Sequence, residues 1–331
     1  STMDIRVVPL PTPIPPTQPY TICDDNQDGV SCDFDLASLV PDMLNGLTSY
    51  TITFHETLQD AELGNTAINT SVPYCSIIPF MQTIYVRAVD INTGCWSVIP
   101  IVLEVNPSPI APVNLNDIEV CDQDNNTQNG FTLVDLTVRT ADVLAQQPLA
   151  AGNYTVTYYT SSTAAQQGTP PIIPATNFLA FNGQMIWVRV EDNSTGCYNI
   201  GTFNVIINMP LLLITPTPLS VCDDDANPND GFHSFDLTVR DVMITQGLSG
   251  YTVTYYPTLA DAQNVTNAIG TPTAYTNLTA PVQTLGVRVT SAAGCYSVTT
   301  LDIRVLPIPT PNTNPPSLGV QCDYNNPGDM L

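Results

Sequence analysis

Four Cys-Asp pairs recur along the chain at nearly constant intervals, and this repeat constrains the fold more than any other feature. The cysteines are Cys23, Cys121, Cys222 and Cys322, which stand 98, 101 and 100 residues apart. Other segments return in the same phase, such as YTITFH at 50–55 and YTVTYY at 154–159 and 251–256. Several matches in register over three copies indicate tandem structural repeats of about 100 residues.

Both ends of the sequence match interior parts of the repeat. DIRVVPLPTP at 4–13 resembles DIRVLPIPTP at 302–311, and QCDYNNPGD near the end resembles the opening of a repeat. We therefore expect a window on a longer array. The predicted boundaries are the last strand of a preceding repeat plus linker at 1–17, repeat 1 at 18–108, repeat 2 at 109–210, repeat 3 at 211–309, and a linker with the start of a further repeat at 310–331.

Within each repeat the residue pattern favours short strands. YTVTYY and IYVRAV alternate in the period of two that is typical of half-buried strands, and CYSVTTLDIRVLP predicts a long closing strand. The segment at 237–247 predicts one or two helical turns that end at Gly247. About seven strands per repeat, separated by Pro-rich spacers at 9–19 and 309–316, predict an all-β fold of tandem immunoglobulin-like β-sandwiches. A small barrel is the alternative.

The charge balance argues against two classes of partner. The chain has 30 acidic and seven basic residues, all seven of them Arg, and a formal net charge of −23. Such a surface repels nucleic acid and anionic lipid, and it attracts divalent cations. No stretch reaches the roughly 20 apolar residues of a membrane span, so this part of the chain is not expected to cross a membrane.

The nine cysteines predict disulfides. Each repeat has one cysteine at its start and one in a GC[WY] turn, so we expect Cys23 to pair with Cys95, Cys121 with Cys197, and Cys222 with Cys295. Cys32 and Cys75 would form a second bridge in repeat 1, and Cys322 would be left without a partner by truncation. Metal or redox chemistry is the rival interpretation, but no CxxC pair occurs. Disulfides imply an oxidising, extracellular location.

An Asp- and Asn-rich loop follows each first cysteine. In repeat 1 its spacing fits a calcium-binding loop, except that Asp replaces the final Glu, and the loops of repeats 2 and 3 are longer. Turn formation and helix capping are the alternative roles. Calcium is therefore the one candidate cofactor, and its candidate ligands are Asp24, Asn26, Asp28 and Asp35 in repeat 1, Asp122, Asp124 and Asp135 in repeat 2, and Asp223, Asp225, Asp230 and Asp236 in repeat 3.

No catalytic residues are expected. The only histidines are His55, at a strand position where the other repeats have Tyr, and His233, in an acidic loop. Neither suits nucleophilic catalysis, and the absence of Lys excludes Schiff-base chemistry. Arg87, Arg189 and Arg288 recur at one strand position, which indicates a structural role such as pairing with the acidic loop. Trp96 and Trp187 are expected to pack in cores or on strand faces, with a sugar-stacking platform as the alternative.

Three stretches carry a resemblance to a known class of protein: CDDDANPNDGFHSFDLT at 222–238, YTVTYYPTLADAQ at 251–263 and WVRVEDNSTGCY at 187–198. They resemble repeats in giant surface proteins of gliding Flavobacteria, such as SprB-type adhesins secreted by the type IX system. The resemblance spans essentially the whole chain. It implies export across the outer membrane, display on the cell surface, adhesion to substrata and movement by the gliding machinery.

Three functions are compatible with these observations. The first is a non-catalytic stalk segment of a long cell-surface adhesin filament, in which neighbouring repeats of the same chain are the partners and an extracellular surface or polysaccharide is the target. The second is a carbohydrate- or protein-binding module. The third is a spacer region of a large secreted hydrolase.

Overall fold

A computed structural model describes residues 7–124 and 129–311. The chain forms two compact units. The first holds the residues up to Val120 together with Leu133–Ile206, and the second holds Cys121–Thr132 with the residues from Ile207 onward. In the described part of the chain, no helix is long and apolar enough to cross a membrane.

The strands follow the repeats. Repeat 1 contains β1 (Tyr20–Asp24), β2 (Tyr50–His55), β3 (Met81–Asp90) and β4 (Trp96–Pro107). Repeat 2 contains β5 (Ile118–Cys121), β6 (Phe131–Val134), β7 (Tyr154–Tyr159), β8 (Phe178–Phe181), β9 (Gln184–Asp192) and β10 (Tyr198–Asn208). Repeat 3 contains β11 (Leu219–Cys222), β12 (Ser234–Phe235), β13 (Tyr251–Tyr256), β14 (Tyr275–Thr276), β15 (Val282–Ser291) and β16 (Tyr296–Leu306).

Each repeat has one four-stranded sheet with the same strand order. The three orders are β1-β4-β3-β2, β5-β10-β9-β7 and β11-β16-β15-β13. The opening strand runs parallel to the closing strand in repeats 1 and 3, whereas the pairs β2-β3, β3-β4, β13-β15 and β15-β16 are antiparallel. In this register Cys23 stands opposite Asn106, and Cys222 stands opposite Leu306. The first cysteine therefore lies beside the C-terminal end of the closing strand.

A smaller second layer covers one face of each sheet. It is a two-stranded pair in repeats 2 and 3, β6-β8 and β12-β14, and an isolated bridge between Phe34 and Tyr74 in repeat 1. Alternate residues of β3 point inward, so Ile84 and Val86 pack with Phe34 in the core. Apolar residues with a period of two thus form a core between two layers, and the predicted fold of tandem immunoglobulin-like β-sandwiches is confirmed.

Two short helical segments complete each repeat. A 3₁₀ turn begins after Asp35, Asp135 and Asp236, and it leads into α1 (Val40–Leu44), α3 (Thr140–Leu144) and α5 (Asp241–Ile244). This confirms the helical turns predicted at 237–247. The second segment follows the YTVTYY strand and forms α2 (Leu58–Leu63), α4 (Ser162–Gln167) and α6 (Leu259–Asn264), which the strand pattern did not predict.

Two details differ from the sequence-based expectations. In the described residues, repeats 2 and 3 contain six strands each and repeat 1 contains four, instead of about seven. The Pro-rich segments also contact the repeats that follow them. Ser97 donates a hydrogen bond to the carbonyl of Pro11, Asn199 to that of Pro109, and Ser297 to that of Leu211. Pro11 in the predicted spacer at 9–19, and Pro109 and Leu211 at the start of repeats 2 and 3, are therefore held on the closing strands, while most of the predicted spacer at 309–316 lies outside the described residues.

Candidate functional site

The disulfides connect different repeats, which corrects the predicted pairing. Cys23 bonds to Cys197 and Cys121 bonds to Cys295, and both pairs are 174 residues apart. The expected pairs Cys23–Cys95, Cys121–Cys197 and Cys222–Cys295 do not form. Cys95 and Cys222 are free thiols within residues 7–124 and 129–311. The bridge between Cys32 and Cys75 within repeat 1 is confirmed, and Cys322 lies outside the described residues.

The parallel opening strand explains why the predicted pairs cannot form. Cys23 stands opposite Asn106 near the end of β4, whereas Cys95 directly precedes β4. About ten residues of extended strand separate the two positions, which is roughly 33 Å. A disulfide requires Cα atoms within about 7 Å of each other. The same geometry separates Cys222 from Cys295 at opposite ends of β16.

The first junction lies within the first unit, where the opening loop of repeat 1 meets the GC turn of repeat 2. The Sγ atom of Cys197 is 3.9 Å from the carbonyl oxygen of Asn106, so the closing strand of repeat 1 ends beside this turn. Cys23 and Asp25 line a cavity of about 300 Å³ together with Gln166, Tyr198 and two further residues of β10. Cys197 is 1% exposed. The Cys197 half of the bridge is therefore buried, whereas Cys23 is half-buried and lines the cavity between side chains of the two repeats.

The second junction repeats this arrangement within the second unit. Cys121 bonds to Cys295, which is also 1% exposed. Gln123, two residues after the cysteine like Asp25, donates a hydrogen bond of 3.4 Å to the carbonyl oxygen of Tyr296. Tyr296 follows Cys295 as Tyr198 follows Cys197. The residue two positions after the first cysteine thus lies against the GC turn of the next repeat in both junctions.

An Asp at the end of β9 holds one of these turns in place. Asp192 accepts hydrogen bonds from the backbone amides of Ser194 and Thr195 and from the Ser194 hydroxyl. The Ser194 hydroxyl bond is the largest of the effects that lower the pKa of Asp192 below its usual range. The Asp192 amide in turn donates to the carbonyl of Cys197. The turn therefore presents Cys197 in a fixed position.

A recurring arginine lies beneath the aromatic residue of each GC turn. Arg87 stacks on Trp96, Arg189 on Tyr198 and Arg288 on Tyr296, with the guanidinium carbon 4.2, 3.3 and 3.3 Å from the ring centroid. Each guanidinium also donates hydrogen bonds to two carbonyls near the end of α2, α4 or α6. The predicted structural role is thus observed, although these partners are helix carbonyls and aromatic rings and not the acidic loop.

The first Asp of each acidic loop is buried and closes its loop. Asp24, Asp122 and Asp223 are at most 2% exposed. One carboxylate oxygen of each Asp accepts a hydrogen bond of 2.7–2.9 Å from a backbone amide, which belongs to Gly29, Gly130 and Gly231 in turn. The other oxygen of Asp24 accepts the amides of Asn26 and Gln27. By contrast, the Oδ1 atoms of Asp122 and Asp223 are buried and have no hydrogen-bond partner among the described residues.

Several of the other candidate calcium ligands act locally as turn formers or caps. The side chains of Asp28, Asp225 and Asp230 each accept a hydrogen bond from the backbone amide two residues later. The side chain of Asn26 accepts one from the amide of Asp28 in the same way. The side chains of Asp35, Asp135 and Asp236 cap the 3₁₀ turns. Among the described residues, no three Asp, Glu, His or Cys side chains form a group suited to a metal ion. Asp124 retains hydrogen-bond or ionic contacts.

The two histidines have structural surroundings. His55 is fully buried on β2, where its ring contacts the Thr53 hydroxyl and the carbonyl of Asn65 at 2.9 and 2.6 Å. His233 lies 3.4 Å from a carboxylate oxygen of Asp224 and contacts the carbonyl of Ser234. Each ring is held by nearby backbone or loop groups. The geometry therefore favours packing and loop order for both residues.

Comparison with known proteins assigns the repeats to a family. The profile described as "Flavobacterium inter-domain disulphide bond domain" matches residues 19–109, 117–211 and 218–309. These three matches cover most of the chain and coincide with the three repeats that the staggered bridges connect. No curated protein matches the chain.

Solved structures with low sequence identity also match. They include titin domains I67–I69 in an E-to-A mutated variant, at 10% identity and a TM-score of 0.28, covering 78% of this chain and 88% of that one. Domains 7, 8 and 9 of the S-layer protein SbsC match at 14% identity and a TM-score of 0.25, covering 88% of this chain and 96% of that one. Zebrafish RET cadherin-like domains 1 to 4 match at 12% identity and a TM-score of 0.19, covering 89% of this chain and 73% of that one. Scores this low carry no argument about this chain. On the family profile and the disulfides between its repeats, the chain belongs to the Flavobacterium inter-domain disulphide bond domain family and contains three copies of that domain.

Proposed function

We propose that the chain is a non-catalytic stalk segment of a long cell-surface adhesin filament, which serves surface attachment and gliding. The observation that carries the proposal is that both Cys23–Cys197 and Cys121–Cys295 join one repeat to the next. A bridge inside a repeat secures only that repeat, whereas a bridge between repeats also secures the junction. Junctions that are held by covalent bonds resist separation of the repeats, which suits a protein that must carry a pulling load.

The chemistry of the bridges supports the location in this proposal. Disulfides persist in oxidising environments, which fits an extracellular or secreted protein. In the chain-entropy model, closing a loop of 174 residues stabilises the folded state by about 5 kcal/mol. The two loops overlap, so their contributions do not simply add. Export by the type IX system and movement by the gliding machinery are parts of the proposal that rest on the flavobacterial family and on the resemblance to gliding adhesins.

A replacement experiment in the producing cell tests the stalk role. Residues 19–309 are replaced by unrelated immunoglobulin-like domains of equal number and length, and attachment of cells to glass and their gliding speed are measured. A stalk contributes reach, so we expect attachment and gliding to be retained. A deletion of the same residues without replacement serves as the control and should reduce both.

The alternative of a binding module predicts the opposite result. If these repeats hold the target themselves, the replacement would abolish attachment as completely as the deletion does, and the stalk proposal would be rejected. Surface labelling of a tag placed next to the replaced segment confirms that each variant is displayed. Loss of attachment is then attributable to the repeats and not to failed export.

A further inference from the structure

Five consecutive apolar residues form an exposed knob in repeat 1, where the chain enters β3. The knob consists of residues 77–81, with the sequence IIPFM, and every one of them is exposed. The exposed fractions are 61% for Ile77, 52% for Ile78, 54% for Phe80 and 58% for Met81. Single exposed apolar side chains are ordinary, but a contiguous apolar patch marks an interaction surface.

The backbone of the knob is fixed from the inside. The buried side chain of Gln82 accepts hydrogen bonds from the amides of Ile77 and Ile78, at 2.7 and 3.3 Å. The amide of Phe80 donates a hydrogen bond of 2.7 Å to the carbonyl of Gly29. The apolar side chains are therefore held in one arrangement, so a partner does not have to order the loop when it binds.

Phe80 is an unfavourable residue for the folding of this loop. Its φ is +64°, in the left-handed region that a bulky side chain rarely adopts. Its ring lies against Gly29 at the surface and is more than half exposed, so little core burial offsets the strain. Strained residues of this kind are concentrated at binding sites. A contact with a partner explains a Phe at this position better than folding does.

An acidic loop at 25–33 borders the knob. Gly29 of this loop lies under Phe80, and the carbonyl of Ser31 accepts a hydrogen bond of 2.9 Å from the amide of Ser76. The disulfide between residues 32 and 75 joins the two segments covalently. The exposed carboxylates of the loop line a cavity of about 250 Å³ and belong to Asp25, Asp28 and Asp33.

We propose that the knob and the acidic loop together bind a polypeptide segment in which apolar side chains are flanked by Arg or Lys. Among the described residues, no ion pair neutralises the three carboxylates of the loop. The single Arg of repeat 1, Arg87, donates instead to two carbonyls near the end of α2. An apolar centre with cationic flanks is thus the chemistry that complements this surface. The proposed binding goes beyond the stalk function and does not depend on it.

Charge argues against two other occupants of the knob. A second copy in a symmetric contact would bring an equal set of carboxylates against this loop, and each chain carries a net charge of −23. An anionic lipid surface would be repelled for the same reason. A basic segment is attracted by these charges.

A selection from a random peptide library tests the proposal on the full chain. Phage that display peptides of about 12 residues are first depleted on a variant with Ile78→Ser and Phe80→Asn, and are then selected on the parent protein. We expect the enriched peptides to combine large apolar residues with Arg or Lys, in excess over the unselected library. Fluorescence anisotropy with the synthetic peptides should show affinity that falls about fivefold or more between roughly 0.1 M and 1 M salt.

Single substitutions separate binding from folding. Asn adopts a positive φ with little strain, so Phe80→Asn should weaken peptide binding about tenfold or more without lowering the melting temperature. Ile78→Ser should weaken binding to a similar extent. The matched control is Leu278→Ser in repeat 3, because Leu278 is 67% exposed and donates its amide to Gln283 as Ile77 does to Gln82. This control should leave the affinity within about twofold of the parent value.

Three outcomes would overturn the proposal. The first is a selection that yields no basic and apolar peptides, or yields peptides that bind the Phe80→Asn variant as tightly as the parent chain. The second is a dimer of the parent chain in analytical ultracentrifugation that Phe80→Asn abolishes, which would make a second copy the occupant. The third is co-sedimentation with phosphatidylcholine vesicles that Phe80→Asn abolishes, which would make a lipid surface the occupant.

Discussion

At the scale of single residues, the buried Asp24 has the most demanding role in repeat 1. Its carboxylate accepts three hydrogen bonds, from the backbone amides of Asn26, Gln27 and Gly29. Replacing Asp24 by Ala leaves these donors without an acceptor, and we expect a loss of about 2–3 kcal/mol in the free energy of unfolding of repeat 1. Urea unfolding measures the loss. The exposed neighbour serves as the control, and Asp25→Ala should change the stability by less than about 0.5 kcal/mol.

Calcium binding at the acidic loops stays a prediction, and the hydrogen bonds indicate where it should occur. In repeat 1 both oxygens of Asp24 are satisfied by amides of a short loop. In the longer loops of repeats 2 and 3 the Oδ1 atoms of Asp122 and Asp223 are buried and find no partner in the part of the chain that the structure describes. A buried carboxylate oxygen without a partner is costly, and a cation or an ordered water would relieve that cost.

We therefore expect calcium in the two longer loops and not in repeat 1. Titration calorimetry should detect binding that Asp223→Asn reduces by one site and that Asp24→Asn leaves unchanged. A chelator should lower the melting temperature of the parent protein. An unchanged melting curve, together with the absence of metal in elemental analysis, would show that water and not calcium occupies these loops.

At the scale of structural elements, the sequence predicts the strands well and the disulfide partners poorly. The period of two in YTVTYY places Tyr255 on the core face, and burial confirms it. A repeated sequence, however, gives the position of a cysteine within its repeat but not the copy that the cysteine faces. The deciding fact is that β1 runs parallel to β4, which places Cys23 at the far end of the sheet from Cys95. Strand direction depends on pairing between distant segments and has no local sequence signal.

We expect the arginine beneath the GC turn to be essential for the stability of its repeat. Arg189 is 8% exposed, donates to the carbonyls of Ala165 and Gln166, and forms an ion pair of 2.7 Å with Glu191. A lysine cannot reproduce the planar fork or the stacking on Tyr198. We expect Arg189→Lys to destabilise repeat 2 by about 1–3 kcal/mol, as measured by thermal unfolding.

Arg304 provides the matched control for this substitution. Its side chain is 45% exposed and forms an ion pair of 3.2 Å with Asp302. Exposed pairs of this kind contribute little, so Arg304→Lys should change stability by less than about 0.5 kcal/mol. Equal effects of the two substitutions would show that the stacked guanidinium is not important for the turn.

At the scale of the whole molecule, the staggered bridges shorten the covalent path between the chain ends. With the three disulfides of the described residues intact, the shortest path uses Cys32–Cys75 and Cys121–Cys295 and contains about 120 of the 331 residues. At about 3.5 Å per extended residue, the unfolded tether would reach roughly 400 Å. Because the two loops of 174 residues overlap, the path remains short when either inter-repeat bridge is lost.

This redundancy predicts a non-additive response to force. In single-molecule pulling, Cys23→Ser should leave the final tether near 400 Å, and Cys121→Ser should lengthen it to roughly 550 Å, because Cys23–Cys197 then carries the load. The double variant should reach roughly 1,000 Å, since Cys32–Cys75 is then the last bridge that shortens the path. Bridges confined to single repeats would instead give increments that add. A double variant whose lengthening equals the sum of the two single effects would therefore contradict the staggered connection.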